Sequence, residues 1–563
     1  MGAPVAEGAG LSPVAETGVS GFCRSVGVTS EYDYKRRCMA TGKIMYHAHI
    51  GLNTWPATLR ALEQVVGELS GNGHVLDRFG LCLDRAMSLP ESRRDTIARE
   101  TGPVLTGDEW RSVGEQSLSQ PHLGDFMIGT AASDENCRRA LAHGVTTVGN
   151  LGQFFTFDIP GGGDDVEVTT ATVRALQRMA AARDRGAVVH SYLDDGPAMQ
   201  LKHYANYLGW AALESHLIEG LIGARLGHCF GGLVPQPPAR ALIALALPHL
   251  HEPDAVGSMI YGNTVDYTKD RVHNESVLAS YLLVDIATQL RRPTGHALNP
   301  VPLTENLRIP DAADILEVHQ LGREIEREAR RSGDLFAWDK LAEQAYEGAR
   351  YGKAWAQRAL GVLAEDGVDI RRAYDILLAL RRMDVRKLEA RIDLRPPKGL
   401  GDLEPWKAQT SRSMLATIMR NTPVRLDGAR IVVASLDVHD LIRDVLVKVL
   451  MSLGAEVILM PGDSHPAAVI AAAEAENADT VIVSTYNGGA LRQARAIAEA
   501  VQSREYDGQI FIGGVLNEEI GQDLPVDVSE QIRALGIHTV ADIAGLPGLI
   551  REAGGQFRAS STK

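Results

Sequence analysis

Two separate stretches of this sequence alternate short apolar runs with helical patterns, and that alternation restricts the chain to parallel α/β architectures. Between about residues 43 and 310 the runs are KIMYHAHI, HVLDRFGLCL, DFMIGTA, VTTVGN, AVVHSYL, ARLGHCF and SMIYGNT. Most are followed by apolar positions at helical spacing, as from Asp134 to His143, where the pattern stops at Gly144. Six or more such units predict an α/β fold with a (β/α)8 TIM-like barrel rather than an open sheet. Barrel strands carry their active sites at their carboxyl ends, which draws attention to Asn150, Gln153, Asp194, Asp195, His228 and Asn263.

From Asp311 to Arg391 long charged helices take over, expected to pack outside or beneath the barrel. DLRPPKGLGDLEPWKAQTSRS then has the proline, glycine and polar content of a linker. Beyond it, ARIVVAS, AEVILM, DTVIVS, GQIFIGG and IHTVA alternate with helical segments and predict a flavodoxin-like (Rossmann-like) doubly wound sheet. The expected division is a lead-in over 1–42, the barrel over 43–325, a helical extension over 326–391, a linker over 392–424 and a second domain over 425–563.

Composition narrows the function classes. A formal net charge of -14 and the absence of a long Lys/Arg run argue against nucleic-acid binding. The longest apolar run, around Ala239 to Leu247, falls well short of the roughly 20 residues of a membrane span and is ended by Pro248. The first residues lack a charged and then apolar leader, and five cysteines without CxxC spacing argue against a disulfide framework or a structural zinc site. The expectation is a cytoplasmic protein acting on a small-molecule substrate.

ASLDVHDLIRDVL interrupts the first strand of the second domain with Asp437, His439 and Asp440. A histidine at the carboxyl edge of a parallel sheet can ligate a metal while a carboxylate two residues away fixes its other ring nitrogen. The same residues could simply cap and begin a helix. Ser484 at the end of the third strand and Gly513 and Gly514 at the end of the fourth add two further signals. Together the three motifs resemble the DxHxxG, SxL and GG signature of cobalamin-binding domains. The resemblance implies that His439 replaces the cofactor's dimethylbenzimidazole as lower axial ligand of cobalt, with Asp437 tuning it. It also implies that Ser484, Tyr486, Gly488, Gly513 and Gly514 hold the displaced nucleotide tail. Ile442 stands where the family has glycine and Tyr486 where it has leucine. A branched side chain at 442 is expected to narrow the tail slot, with Gly488 and Gly489 restoring room.

The first domain is similar to the catalytic component of glutamate mutase (methylaspartate mutase) in GVTTVGNLGQFFTFDIP, GAVVHSYLDDGPAMQ, LIEGLIGARLGHCFGGLVPQPPARAL and PTGHALNPVPLTENLRIPDA, the last containing His296 and Pro302 to Glu305. This likeness implies an adenosylcobalamin-dependent radical carbon-skeleton mutase with Glu219 and His228 addressing substrate. The two arginines that clamp the family's substrate carboxylates fall at Met127 and Leu193, leaving Arg85, Arg225 and Arg240 as candidate replacements. Other readings of these residues stand beside that one: a solvated carboxylate for Glu219 and a hydrogen-bonded core residue for His228. His47 and His49 share one side of a strand, which favours a barrel-lining or cofactor-contact role over a zinc pair lacking a third ligand. IPGGGDD reads as a loop over the barrel mouth, since it lacks the lysine of a nucleotide loop. The alternatives to a mutase are a regulatory protein with a vestigial cobalamin domain and a corrinoid methyl carrier. A homodimer or association with a mutase partner subunit is expected.

Overall fold

The structure, a computed structural model, describes residues 17–554 other than 98, 160, 407–408, 410–412, 414, 417–423, 438–440, 487 and 519–525. It forms two compact units, one from most of the first 406 residues and one chiefly from residues 407–563.

Eight parallel strands build the first unit: β1 (Met45–Ile50), β2 (Arg78–Leu81), β3 (Gln120–His122), β4 (Thr147–Val148), β5 (Val188–Tyr192), β6 (Arg225–Phe230), β7 (Met259–Tyr261) and β8 (Ala297–Asn299). They follow the order β3-β2-β1-β8-β7-β6-β5-β4, and a parallel bridge between Leu123 and Val148 brings the ring to near closure. The expected β/α barrel is therefore present. Its third strand is QPH rather than DFMIGTA, because Phe126 adopts φ 60 and the amides of Met127 and Ile128 both turn to the carbonyl of Gly149. Its eighth strand lies in the proline-flanked HALNP, too short for an apolar run to mark it.

Register fixes which side chains enter the barrel, since residues paired across parallel strands point to the same side. His47 is level with Arg78 and Arg78 with Gln120, while Tyr192 is level with Cys229. The residues between them face the helices. Tyr46, for example, donates its hydroxyl to Glu326 in the helix Ala312–Arg331. The helix Trp338–Glu365 lies outside the barrel against the helix Tyr204–Ser215, where a side chain at Gly209 would strike Trp355.

The chain before β1 is helical over Gly21–Val26 and Glu31–Thr41. From the second of these helices the buried Lys35 donates to the carbonyls of Gly257, Ser258 and Gly295 at 2.7 to 2.8 Å, so the helix closes the amino-terminal end of the barrel.

The second unit holds β9 (Arg430–Ser435), β10 (Glu456–Leu459), β11 (Thr480–Thr485), β12 (Gln509–Gly514), a small hairpin of β13 (Asn517–Glu518) and β14 (Val526–Asp527), and β15 (His538–Val540). The five-stranded parallel sheet runs β10-β9-β11-β12-β15, the flavodoxin-like order expected from sequence. Alternate residues bury on its two faces. Ile431, Val433, Ile482 and Phe511 pack under the helices Leu441–Ser452 and Leu546–Gly554, and Val432, Val481, Val483 and Ile512 under the opposite helices.

Candidate functional site

At the carboxyl edge of the second unit's sheet, Ser435, Ser484 and Gly513 are level across β9, β11 and β12. By alternation they occupy the face of Ile482 and the helix Leu441–Ser452. Ser484 is 3 % exposed and its Oγ has no hydrogen-bond partner. Beside it Gly513 leaves a notch, since a Cβ there would come no closer than 3.4 Å to Val540. Gly514 has a different reason to be glycine: φ is 111°, and a Cβ would lie 2.1 Å from the Thr485 carbonyl. Gly488, with φ 69, turns the chain after Tyr486.

Asp437 is fully buried just past β9, where its carboxylate accepts the Tyr486 amide at 2.5 Å and its carbonyl accepts from Ser435 Oγ and the Asp463 amide. Burial, and then the charge of Asp437, push the Tyr486 phenol up to about 12. Gln493 donates to the Leu436 carbonyl while its own Oε1 is without a partner. Ile442 is half-buried against the cluster of Val445 and Leu446, on the face that Ser484 shares. His439 and Asp440 lie outside the described residues. A buried hydroxyl without a partner, a side-chain-free notch level with it and a glycine turn beyond suit a polar group that must approach backbone closely. The residues present thus fit a cobalamin tail.

Inside the first unit a belt of six rings lines the lumen. Tyr192 stacks on Tyr261 at 5.7 Å, Tyr261 meets His49 at 5.2 Å, and His49 meets His47 at 4.7 Å. The belt continues from His47 to His122 at 5.9 Å and from His122 to His190 at 4.6 Å. All come from the odd-numbered strands, as alternate strands fill a barrel in layers. Glycines in β2 and just after β4 make space for them: a Cβ at Gly80 would lie 2.6 Å from His49, and one at Gly149 2.5 Å from His190. Burial holds the four imidazoles well below the usual histidine range, and neighbouring cations reinforce this, Arg78 for His49, His122 and His190, and Arg78 and Lys35 for His47.

Nearby, Glu305 is held up at about 7 by burial and by Asp314, and its charge acts on Tyr261 and Cys82. Sequence reading placed His47 and His49 on one strand side but missed His122, His190, Tyr192 and Tyr261. Their signal was the in-phase spacing in AVVHSYL and the histidine of QPH. Among the described residues no group of three or more His, Cys, Asp or Glu side chains could hold a metal ion.

Glu219 and His228 do come together, though on the outer side of the barrel wall. His228 Nε2 meets Glu214 at 3.0 Å, its Nδ1 meets His251 Nε2 at 2.8 Å, and His251 Nδ1 meets Glu219 at 3.0 Å. Burial raises the Glu219 carboxyl, but His251 and the Ser215 hydroxyl outweigh it and hold the group below the usual range. His228 is level with Ser191, one residue out of phase with Cys229 and Tyr192, and therefore faces the helix Tyr204–Ser215.

The other strand-end residues brace loops. Asn150 accepts the amides of Gly152 and Tyr192 and donates to Asp195; Gln153 links the Phe126 amide to Asp125; Asn263 accepts the Val265 amide and donates to Asp266. Asp194 accepts the amides of Gly231 and Leu233 and the Tyr207 hydroxyl. Of the candidate arginines, Arg85 pairs with Glu100, Arg225 with Asp254 under the Tyr32 ring, and the buried Arg240 with Asp285. Met127 and Leu193 are buried.

No helix among the described residues is long and apolar enough to cross a membrane. A search of the curated proteins finds no match. Among solved structures the chain is similar to a cobalamin-binding protein from Desulfitobacterium hafniense, at 17% identity and TM-score 0.21 over 35% of this chain and 90% of that one. It is also similar to a fungal multi-domain GH3 beta-N-acetylglucosaminidase structure, at 11% identity and TM-score 0.28 over 85% of this chain and 55% of that one. Neither overlap is close enough to carry an argument. The sequence match is more specific: residues 429–528 match the family of the B12 binding domain, so the strand-edge site described above belongs to a B12-binding domain.

Proposed function

We propose that this chain is an adenosylcobalamin-dependent radical carbon-skeleton mutase resembling glutamate mutase and acting on an amino acid or related small acid. The observation that carries the reading is the presence, in one chain, of a B12-binding domain and a parallel β/α barrel whose lumen is lined by polar rings. His439 would be the cobalt ligand and Asp437 its hydrogen-bonded support. Ser484, Tyr486, Gly488, Gly513 and Gly514 would hold the nucleotide tail. Bound adenosylcobalamin supplies a carbon radical by homolysis of its cobalt–carbon bond. The protein's own contribution is to bind and orient substrate in the barrel and to exclude water, with His49, Tyr192, Tyr261 and Glu305 facing that space. Glu219 and His228, facing the helices, would brace the β5–β6 wall behind it.

The test is spectroscopic. Adenosylcobalamin added to the apoprotein should give a base-off, histidine-ligated spectrum that His439→Ala abolishes; an unchanged wild-type spectrum would refute cofactor binding and leave the regulatory reading. Electron paramagnetic resonance with candidate amino acids and acyl compounds then separates a mutase, which gives a substrate-dependent cob(II)alamin radical pair, from a methyl carrier, which does not. Sedimentation of the holoprotein tests for a homodimer against a species that awaits a partner subunit.

A further inference from the structure

The described nitrogens of the ring belt are poorly satisfied by the protein itself. Both ring nitrogens of His47, Nε2 of His49 and Nε2 of His122 have no hydrogen-bond partner, although His47 and His122 are each 0 % exposed. A buried polar atom left so costs on the order of 1–3 kcal/mol. His49 is only partly buried, so the belt runs from the solvent side of the barrel to its deep end.

The electrostatics beneath the belt have a definite sign. Arg78, level with His47, donates to the Ser258 carbonyl and hydroxyl, and Lys35 reaches the same carbonyl from below. One carboxylate, Glu31, stands 3.2 Å from Arg78 and 3.7 Å from Lys35. Arg78 balances Glu31, and Lys35 adds a positive excess at the deep end while it carries its proton. The mutual repulsion shows in Lys35, which burial first and Arg78 second push down to about 7. Other titratable groups around the rings are His228 behind His190, Cys82 and Tyr261 beside His49, and the acids Glu305 and Asp125, whose charges act on Cys82 and Tyr261.

We infer that the deep end of the lumen, lined by His47, His122 and His190 above Arg78 with His49 on its solvent side, binds the carboxylate of a small-molecule substrate. This deepens the reading above by naming the group recognised, and rests on the barrel being the substrate compartment. It also accounts for recognition of an acid by a chain with Met127 and Leu193 where its likeness to glutamate mutase would put arginines.

Proton bookkeeping follows from geometry. His122 Nδ1 lies 3.2 Å from the Thr147 carbonyl, which can only accept, so that nitrogen carries the hydrogen and Nε2 presents a lone pair. A carboxylate can be received at Nε2 only when a proton arrives with it. Binding at His122 therefore couples to uptake of a proton, and affinity falls about tenfold per pH unit between the pH at which the free imidazole titrates and the higher pH at which the bound imidazolium does, levelling off beyond it.

The experiment uses the full chain without cobalamin. Propionate, n-butylamine and inorganic sulfate are titrated by calorimetry across pH 6 to 8 in buffers of different ionisation enthalpy, which reads proton uptake directly. In parallel, ¹⁵N-histidine-labelled protein is followed by the nitrogen shifts of its imidazoles. The inference requires that propionate bind with uptake of one proton, that an imidazole convert from neutral to imidazolium, and that n-butylamine not bind. His122→Gln, which can donate but cannot titrate, should retain binding and lose its pH dependence. No propionate binding, binding without proton uptake, preference for the amine, or sulfate binding in place of propionate would each overturn it, and the labelled wild-type protein decides even if the variant does not fold. Because cobalamin is absent, failure here leaves the cofactor spectrum untouched, and failure of that spectrum leaves carboxylate binding standing.

Discussion

Gly513 and Gly514 are adjacent glycines with different physical jobs, and substituting them separately divides the fold from the cofactor site. A Cβ on Gly513 would make ordinary contact with Val540 at 3.4 Å, and its backbone is not in the left-handed region. Gly513→Ala should therefore be tolerated by the apoprotein, or raise stability by about 0.4–1 kcal/mol through the unfolded chain. The same methyl would fill the notch level with Ser484, where the nucleotide tail is proposed to lie. Overpacking costs ~1–3 kcal/mol, which is about a fivefold to 150-fold loss of cobalamin affinity.

Gly514→Ala meets φ 111 and a carbonyl 2.1 Å away. It should destabilise the second unit by more than ~1–3 kcal/mol whether or not cofactor is added, because strain and overlap act together. The assay pairs urea unfolding of the apoprotein, with the second unit followed as its own transition, and cobalamin titration by absorbance. Gly513→Ala binding cobalamin like the wild type, or unfolding as easily as Gly514→Ala, would refute the placement of the tail.

Three further outcomes follow. Ser484→Ala removes a buried hydroxyl without a protein partner, so apoprotein stability should hold while cobalamin affinity drops by about 0.5–1.5 kcal/mol; a loss of stability in urea would count against it. Lys35→Met leaves the carbonyls of Gly257 and Gly295 without their side-chain donor, while Arg78 still holds that of Ser258, and should cost the barrel ~1–3 kcal/mol for each, read as a shift of its denaturant midpoint. Glu305, with its carboxyl raised to about 7, binds a proton in the folded state between the ordinary carboxylate range and 7 that the unfolded chain does not. Stability should then fall as pH rises through that window, and Glu305→Gln should flatten the profile of stability against pH.

The fold was legible where apolar runs are long and the helices between them distinct. ARIVVAS, DTVIVS and GQIFIGG appear as β9, β11 and β12 because fully buried parallel strands need near-continuous apolar residues. The barrel was less legible strand by strand. QPH and ALN are three residues each, beside prolines and glycines, and they pair because the rest of the ring positions them. What sequence could not supply was phase. His228 and Cys229 are neighbours in one strand, and a shift of one residue exchanges lumen for helix layer. Only the pairing of Tyr192 with Cys229 shows that His228 turns outward and His190, on the next strand, inward.

That phase also changes what the histidines mean together. Read along the chain, His47, His49, His122 and His190 are spread over more than 140 residues and belong to three strands. Read around the barrel, they occupy the layers that branched aliphatic residues ordinarily fill, with glycines opposite them. Aliphatic side chains would fill the same volume without orphan nitrogens, so stability alone does not explain the imidazoles. The unpartnered nitrogens of His47, His49 and His122 belong to the same barrel layers as Arg78, which is level with His47 and has Lys35 beneath it. A lumen of that composition discriminates by charge and by proton supply rather than by shape. It can dispense with an arginine clamp because the charge an arginine would bring permanently is brought instead by the proton that enters with the acid.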